Sequence, residues 1–206
     1  MSSAPTAFSR IEQRLRGEVG RRLVHASGTG IPLLYLLNLI TWGQARALYL
    51  LFAGGAIVLE SLRLIVGLDV WLFTHLIREY EEDNIAGYVL YMLSSTVTAV
   101  SFEPQVAVPA ILMLTLGDPI SGTVGGEELR VVKRPKALLA MFVVSAAITA
   151  PFYYTTPIVV VCGGLAGTIA DGVKPIIRGY VIDDNLTIPI VAAVGIRLGL
   201  ELAGSL

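Results

Sequence analysis

Seven apolar segments follow one another along the chain and constrain its fold more than any other feature. Most of them approach the ~20 residues that an α-helix needs to cross a bilayer. Inside a bilayer every backbone N–H and C=O needs an internal partner, which favours helices. The sequence therefore predicts an all-α polytopic membrane protein, a bundle of about seven transmembrane helices. The predicted segments are Leu23–Thr41, Ala45–Leu62, Ile85–Ser101, Val106–Gly122, Ala137–Tyr154, Ile158–Ala170 and Leu186–Leu202.

The composition agrees with a single membrane-embedded domain. Of the 206 residues, 54% are hydrophobic and 15% are charged, whereas a soluble domain carries about 25% charged residues. We predict a polar, Arg-rich N-terminal lead over residues 1–20 and one transmembrane domain over residues 21–206. The lone Cys162 has no cysteine partner for an internal disulfide and predicts a buried packing residue. The stretch Leu64–Ile77 is interrupted by polar residues and predicts an interfacial or re-entrant segment.

The distribution of charge predicts an orientation in the membrane. If the N-terminus lies in the cytoplasm and seven spans follow, all of the 15 Lys and Arg residues except two fall on the cytoplasmic side. The exceptions are Arg46, which lies outside, and Arg197, which lies within the last span. Such a bias follows the positive-inside rule, and it places the C-terminus outside. The acidic residues share the bias, with only Glu103 and Glu201 outside, although acidic residues contribute little to topology. Their asymmetry therefore predicts a charged site at the cytoplasmic face.

The stretch GDPISGTVGG, from Gly117 to Gly126, combines an acidic residue with glycines after a long apolar run. A carboxylate deep in a bilayer costs about 2.5–3.5 kcal/mol on insertion scales unless it faces protein or water, so Asp118 predicts a functional group. Glycine-rich turns present free N–H groups to anions, and we predict a phosphate-accepting turn here. The alternative is a patch of small residues that packs helices together.

Two further groups of polar residues fit a metal–nucleotide site. The basic loop after the glycines contains Lys133 and Lys136, which could neutralise phosphate oxygens, although positive-inside anchoring explains such charges equally well. Asp183, Asp184 and Asn185 stand at the start of the last apolar segment. One of these three is expected to cap the helix, and the others could bind Mg²⁺ or accept a proton.

Three other groups are predicted to lie at the same face. His25 could bind phosphate or move a proton, although a lone histidine at a helix end is more often a capping or interfacial group. Glu60 and Arg63 have the i,i+3 spacing of an ordinary ion pair within a helix. Residues 78–84 read REYEEDN, which alone indicates a solvated loop. Asp171 and Lys174 share a face and are expected to pair.

Several of these motifs occur together in the order found in the dolichol kinase and phytol kinase family. The chain resembles these membrane-embedded, CTP-dependent lipid kinases over most of its length, and the last motif is the most specific. The matching residues are Arg21-Arg22-x-x-His25, Glu60-x-x-Arg63, Glu79 and Glu82 with Gly87 and Tyr88, Gly117-Asp118-Pro119 with Gly122 and Gly125, and Asp183-Asp184-Asn185-Leu186-Thr187-Ile188-Pro189.

The resemblance implies transfer of the γ-phosphoryl group of CTP to the hydroxyl of an isoprenoid alcohol such as dolichol, a polyprenol, phytol or geranylgeraniol. It makes residues 21–206 a catalytic domain and implies Mg²⁺ as the cofactor, with Asp118 and Asp184 as ligands and Asp183 or Asp184 as the base. The catalytic candidates are Asp118, Asp183, Asp184 and His25. The nucleotide-binding candidates are Gly117, Gly122, Gly125, Gly126, Lys133, Lys136 and Asn185.

The chain departs from the family at two places, and two other functions remain open. The family usually has Lys-Ser/Thr-x-Glu-Gly after its GD motif, whereas this chain keeps only the lysine in Lys136-Ala137-Leu138-Leu139-Ala140. Asp171 stands where the family often has a glutamate. A CTP-using cytidylyltransferase that makes a CDP-lipid would need the same residues, and a non-enzymatic membrane protein or transporter is the alternative of another class. Membrane lipids are expected partners, nucleic acid is not, and the oligomeric state stays open.

Overall fold

The chain is built from helices that run back and forth between two ends of a bundle. The computed structural model describes residues 25–68, 77, 84–125, 132–177 and 180–204. Within these residues, one antiparallel pair of two-residue strands, β1 (Ile176–Ile177) and β2 (Tyr180–Val181), joins the last two helices. The helices are α1 (Gly30–Leu36), α2 (Trp42–Val66), α3 (Gly87–Ser101), α4 (Pro104–Gly125), α5 (Pro135–Tyr153), α6 (Pro157–Gly172) and α7 (Asp184–Leu202).

Four of these helices are long and apolar enough to cross a membrane, namely α2, α4, α5 and α7. The other three occupy predicted segments but are shorter, since α1 has 7 residues, α3 has 15 and α6 has 16. A helix therefore lies in each of the seven predicted segments, and the predicted all-α fold is confirmed for the described residues. Each of the four long helices has the length and apolarity of a membrane-spanning helix, which suggests a membrane protein.

The ends of α2 explain why this helix differs from its prediction. Thr41 and Gln44 form a capping box, in which Thr41 Oγ1 accepts from the Gln44 N–H at 3.3 Å and Gln44 Oε1 accepts from the Thr41 N–H at 2.8 Å. The helix widens into a π-helical turn over Leu62–Val66 and stops at Gly67, whose φ of 72° is left-handed. The first residues of the predicted interfacial segment Leu64–Ile77 thus belong to α2, and most of the remainder lies outside the described residues.

Helix α4 is the most buried of the four long helices, and α7 packs against it and against α3 and α6. Small residues bring α6 and α7 into close contact, because a Cβ on Gly195 would stand 2.2 Å from the Cβ of Ala166 and one on Gly199 would stand 2.8 Å from the Cα of Val159. Cys162 lies in this contact, as its predicted packing role requires, but it is half-buried rather than buried. The described core is centred on Met113, Leu114, Met141, Ile188 and Ile196.

The alternating helix directions bring the ends of α4 and α6 together with the starts of α1, α5 and α7. At the opposite end of the bundle, Arg46 Nε donates to the carbonyl of Ala99 at 2.9 Å. Arg46 is the basic residue that the sequence predicts on the outer side of the membrane. The other polar candidates meet at the first end, where α4 delivers Asp118 and α7 begins with Asp184.

Candidate functional site

Three carboxylates from three different helices meet at this end of the bundle. Oxygens of Asp118, Asp171 and Asp184 lie within 4.8 Å of one another. The Asp171 side chain is fully buried, that of Asp184 is 4% exposed and that of Asp118 is 22% exposed. Three negative charges so close together and so poorly hydrated need cations. The sequence predicted Asp118 and Asp184 for this site, and the structure adds Asp171 at the end of α6.

Two lysines supply positive charge to the carboxylates. Lys133 Nζ lies 2.6 Å from Asp171 Oδ1 and 3.4 Å from both Asp118 Oδ1 and Asp184 Oδ2. Lys174 Nζ lies 3.0 Å from Asp184 Oδ2. Burial alone lowers the pKa of Lys133, but the three carboxylates raise it more, so its pKa lies above the usual range. Lys133 is therefore protonated at neutral pH. The predicted pair of Lys174 with Asp171 is therefore wrong, since Lys174 contacts Asp184 and Asp171 contacts Lys133.

The backbone around Lys133 is attached to the end of α6. Its N–H donates to the carbonyl of Gly172 at 2.9 Å, and Val132 and Val173 form an antiparallel bridge. A fixed backbone limits the reach of the Lys133 ammonium to what its own side-chain torsions allow. The second oxygen of Asp171 accepts a hydrogen bond from Ser121 Oγ at 2.8 Å. Asp171 is therefore held by α4 on one side and by Lys133 on the other.

His25 joins the carboxylates through the first residues of α7. Its Nε2 lies 2.5 Å from Asn185 Oδ1, and its Nδ1 lies 3.7 Å from Asp118 Oδ2. Asn185 is itself fixed, since Ser94 Oγ donates to its carbonyl at 2.6 Å. The His25 ring packs on Tyr91 with 4.8 Å between ring centroids. The histidine therefore lies in the site rather than at an unrelated helix end.

The adjacent residues Asp183 and Asp184 have different surroundings. Asp183 is the N-cap of α7, where its Oδ1 accepts from the Asn185 N–H at 2.9 Å. The prediction that one of the three polar residues caps this helix is confirmed, and it is Asp183. Asp184 is in the first turn and directs a carboxylate oxygen at Lys133 and Lys174. A carboxylate in the first turn is also favoured by the helix dipole.

The predicted glycine-rich turn is wrong for residues 118–125. A π-helical turn over Met113–Gly117 leads directly into helical residues Asp118–Gly125, so Gly122 and Gly125 are part of α4. Helical N–H groups past the first turn are bonded internally, and the C-terminal end of a helix repels anions. These glycine N–H groups are therefore not arranged as a phosphate cradle. Gly126, the last of the predicted nucleotide-binding glycines, lies outside the described residues.

The small residues of this stretch bring helices together, as the alternative interpretation held. A Cβ on Gly117 would stand 2.9 Å from Met141 Sδ, and one on Gly125 would stand 2.9 Å from the Cβ of Ala137. Helix α5 can approach α4 closely at both places. Lys136, predicted to hold phosphate, lies in the first turn of α5 and is exposed. Its neighbour Ala137 is fully buried against α4.

The predicted ion pair of Glu60 and Arg63 is present and links α2 to α3. Arg63 donates to both oxygens of Glu60, at 2.9 and 2.8 Å, and to the carbonyl of Asn84 at 2.6 Å. Glu60 also accepts from the Ala86 N–H and from Tyr88, each at 2.7 Å. This carboxylate therefore fixes the start of α3, which carries Tyr91 and Ser94. The loop acids Glu79 and Glu82 lie outside the described residues.

Sequence reasoning underestimated Asp171 and Ser121. The sequence indicated Asp171 only as a partner of Lys174 and as a replacement for a family glutamate, and Ser121 only as one of the residues in the GDPISGTVGG stretch. A carboxylate that ends an apolar helix is itself a signal, because such a group needs a partner in protein or water. Ser121 gave no comparable signal, since its contact depends on how α4 faces α6.

Comparisons with family models, curated proteins and solved structures found no match for this chain.

Proposed function

We propose that the protein is a CTP-dependent lipid kinase that transfers a phosphoryl group to an isoprenoid alcohol. The observation that carries the proposal is the meeting of three carboxylates and two lysines at one end of an apolar helical bundle. A nucleoside triphosphate with a divalent cation needs both kinds of charge within a few ångströms. The motif resemblance supplies the choice of CTP and of an isoprenoid acceptor.

The donor set suits Mg²⁺. Asp118, Asp171 and Asp184 offer hard oxygen ligands, and Mg²⁺ is usually bound by one or more carboxylates together with phosphate oxygens and water. When bound, the cation would neutralise charge that develops on the transferred phosphoryl group. Lys133 and Lys174 would stabilise phosphate oxygens from their positions beside the same carboxylates. We retain Asp118 and Asp184 from the sequence interpretation and add Asp171 as the third ligand.

His25 and Asp184 are the candidates for the base that accepts the proton of the alcohol. Asp183 is less suited, because its Oδ1 already accepts from the Asn185 N–H. In the tautomer that donates from Nε2 to Asn185, His25 Nδ1 is left as an acceptor, and this buried atom has no hydrogen-bond partner among the described residues. A ring nitrogen left as an acceptor beside the carboxylates can take up a proton, which favours His25 as the base.

The membrane arrangement supports access of both substrates. Side chains such as Leu51, Ile65 and Leu139 are exposed on α2 and α5, which suits contact with lipid. We place all seven helices in the membrane, with the N-terminus and the site at the cytoplasmic side and the C-terminus outside. An isoprenoid alcohol can then approach laterally while CTP arrives from the cytoplasm. Bound together, the substrates would react with little additional loss of entropy.

The test is transfer of label from γ-³²P-CTP to a panel of isoprenoid alcohols in vesicles. Wild type should form a labelled lipid monophosphate, and Asp118→Asn should lower the rate by about 100-fold or more, the scale expected for a lost charge partner of the transition state. Glu103→Gln is the matched control, because Glu103 is an exposed acid at the opposite end of the bundle. It should retain the wild-type rate.

Product analysis separates the alternatives. A CDP-lipid formed from α-labelled CTP and a lipid phosphate would assign a cytidylyltransferase instead. No lipid product in either assay would favour the non-enzymatic alternative. If Asp118→Asn is as active as wild type, the carboxylate cluster does not take part in the reaction as proposed.

A further inference from the structure

We propose that Lys133 occupies the position of the divalent cation in the free protein, and that the cation displaces it only together with a polyphosphate. The metal and the anion would then bind cooperatively, as one unit. This inference rests on the proposed function, since it concerns how the same carboxylates receive a metal–nucleotide complex.

The first argument is geometric. Lys133 Nζ contacts Asp171 at 2.6 Å and Asp118 and Asp184 at 3.4 Å. Those carboxylates supply the group of oxygens within 4.8 Å that suits a metal ion. Mg²⁺ binds oxygens at about 2.0–2.1 Å and would need the oxygens that face the ammonium. A dication and an ammonium so close together repel each other strongly, so both cannot use these oxygens at once.

The second argument concerns where the displaced ammonium can go. The backbone of Lys133 is fixed to the end of α6 through its hydrogen bond to Gly172 and through the Val132–Val173 bridge. The side chain can rotate, but its backbone stays beside the end of α6. After displacement the ammonium therefore remains within one side-chain length of the Lys133 backbone, near the bound cation. An anion that contacts both the cation and Lys133 removes their repulsion.

The third argument concerns charge. Asp118, Asp171 and Asp184 bring three acidic groups together, and the ammonium groups of Lys133 and Lys174 already face them. A free cation therefore gains little electrostatic attraction from such a site, and a free polyphosphate is repelled by the carboxylates. When they arrive together, the cation takes the carboxylates and the lysines take the phosphates. Such coupling is reciprocal, so each ligand tightens the binding of the other by the same factor.

The experiment measures Mn²⁺ binding to the full-length protein in detergent by electron paramagnetic resonance, with Mn²⁺ alone and with Mn²⁺–tripolyphosphate. We expect wild type to bind the complex more tightly than it binds free Mn²⁺. Lys133→Met should bind free Mn²⁺ about tenfold or more tightly than wild type, because a competing unit charge a few ångströms away has been removed. The same variant should lose the preference for the complex. Lys133→Gln is a second neutral variant in case Lys133→Met folds poorly.

Arg197→Met is the matched control for loss of a positive charge. Arg197 is exposed in the second half of α7, away from the carboxylates, so an effect of net charge alone would appear in both variants. Displacement by the metal predicts tighter Mn²⁺ binding only when Lys133 is replaced. Free Mn²⁺ bound equally by wild type and both Lys133 variants would overturn the inference while leaving the metal site in place. Absence of Mn²⁺ binding in every protein, with and without tripolyphosphate, would overturn the proposed function as well.

Discussion

Ser121 of α4 donates a hydrogen bond to Asp171 of α6 over 2.8 Å, and both side chains are fully buried. The other oxygen of Asp171 contacts Lys133 at 2.6 Å. One carboxylate thus fixes the relative position of α4, α6 and the residues before α5. Because Asp118 and Asp184 lie within the same small volume, any change in Asp171 is transmitted to the whole candidate site.

Asp171→Asn is expected to lower kcat for lipid phosphorylation by about 100-fold or more, as does the loss of other preorganised charged groups. Ser121→Ala should keep the charge but release one oxygen, at a cost of about 1 kcal/mol, or roughly fivefold in rate. Both are measured as initial rates with saturating γ-labelled CTP. Thr168→Val on α6 is the control, since the Thr168 hydroxyl donates within its own helix to the carbonyl of Gly164. Wild-type activity in Asp171→Asn would exclude Asp171 from the site.

Glu60→Ala is expected to destabilise the fold more than Tyr88→Phe. The Glu60 side chain is 6% exposed and the Arg63 side chain 10% exposed, so removing the carboxylate leaves a buried guanidinium and the Ala86 N–H without this acceptor. Loss of one partner of such a pair costs about 3–5 kcal/mol of unfolding free energy. Tyr88→Phe removes a single hydrogen bond and should cost about 1 kcal/mol. Thermal unfolding in detergent measures the stability of both variants. Equal melting temperatures for Glu60→Ala and Tyr88→Phe would contradict the central role of the Glu60 carboxylate.

The helices and most of the site could be predicted because their signals are local. Apolar segments mark the helices, and a carboxylate such as Asp118 next to such a segment marks a group that needs a partner. The bias of charge toward one end also anticipated that Asp184, Lys133 and His25 converge. Their contacts agree with that expectation, although the sequence left open which of Asp183, Asp184 and Asn185 would cap the helix.

The rest depended on how helices face one another, which the sequence does not specify. The stretch suggested a turn because of its glycines, yet α4 continues through it and through Pro119. The π-helical turn over Met113–Gly117 changes the bonding pattern just before the proline, a common way to accommodate such a residue in a helix. Asp171 became part of the site through the register of α6 against α4. The amino-acid sequence around Asp171 does not indicate how α6 is aligned with α4.

Close packing of α6 and α7 is expected to control the separation of their carboxylates. Gly195→Ala would place a Cβ 2.2 Å from the Cβ of Ala166, which forces the helices apart. Overpacking of this kind costs about 1–3 kcal/mol, and we expect weaker Mn²⁺ binding because Asp171 and Asp184 move apart. The control is Gly54→Ala in α2, where a Cβ meets no atom within 4 Å. That change should raise stability by up to about 1 kcal/mol and leave Mn²⁺ binding unchanged. Unaltered binding in Gly195→Ala would contradict the proposed coupling.

His25 and Asn185 are expected to act as one unit. Their side chains meet at 2.5 Å, and only His25 reaches toward Asp118, so Asn185 acts by orienting the imidazole. His25→Ala and Asn185→Ala should each lower kcat/KM, and the double variant should be little worse than His25→Ala. A double-mutant cycle should then give a coupling free energy of about 1–3 kcal/mol, the range for residues in direct contact. Ser145→Ala, a buried hydroxyl on α5, serves as a control that should couple with neither. Additive losses at His25 and Asn185 would show that the two residues act independently and would assign Asn185 to the packing of α7 alone.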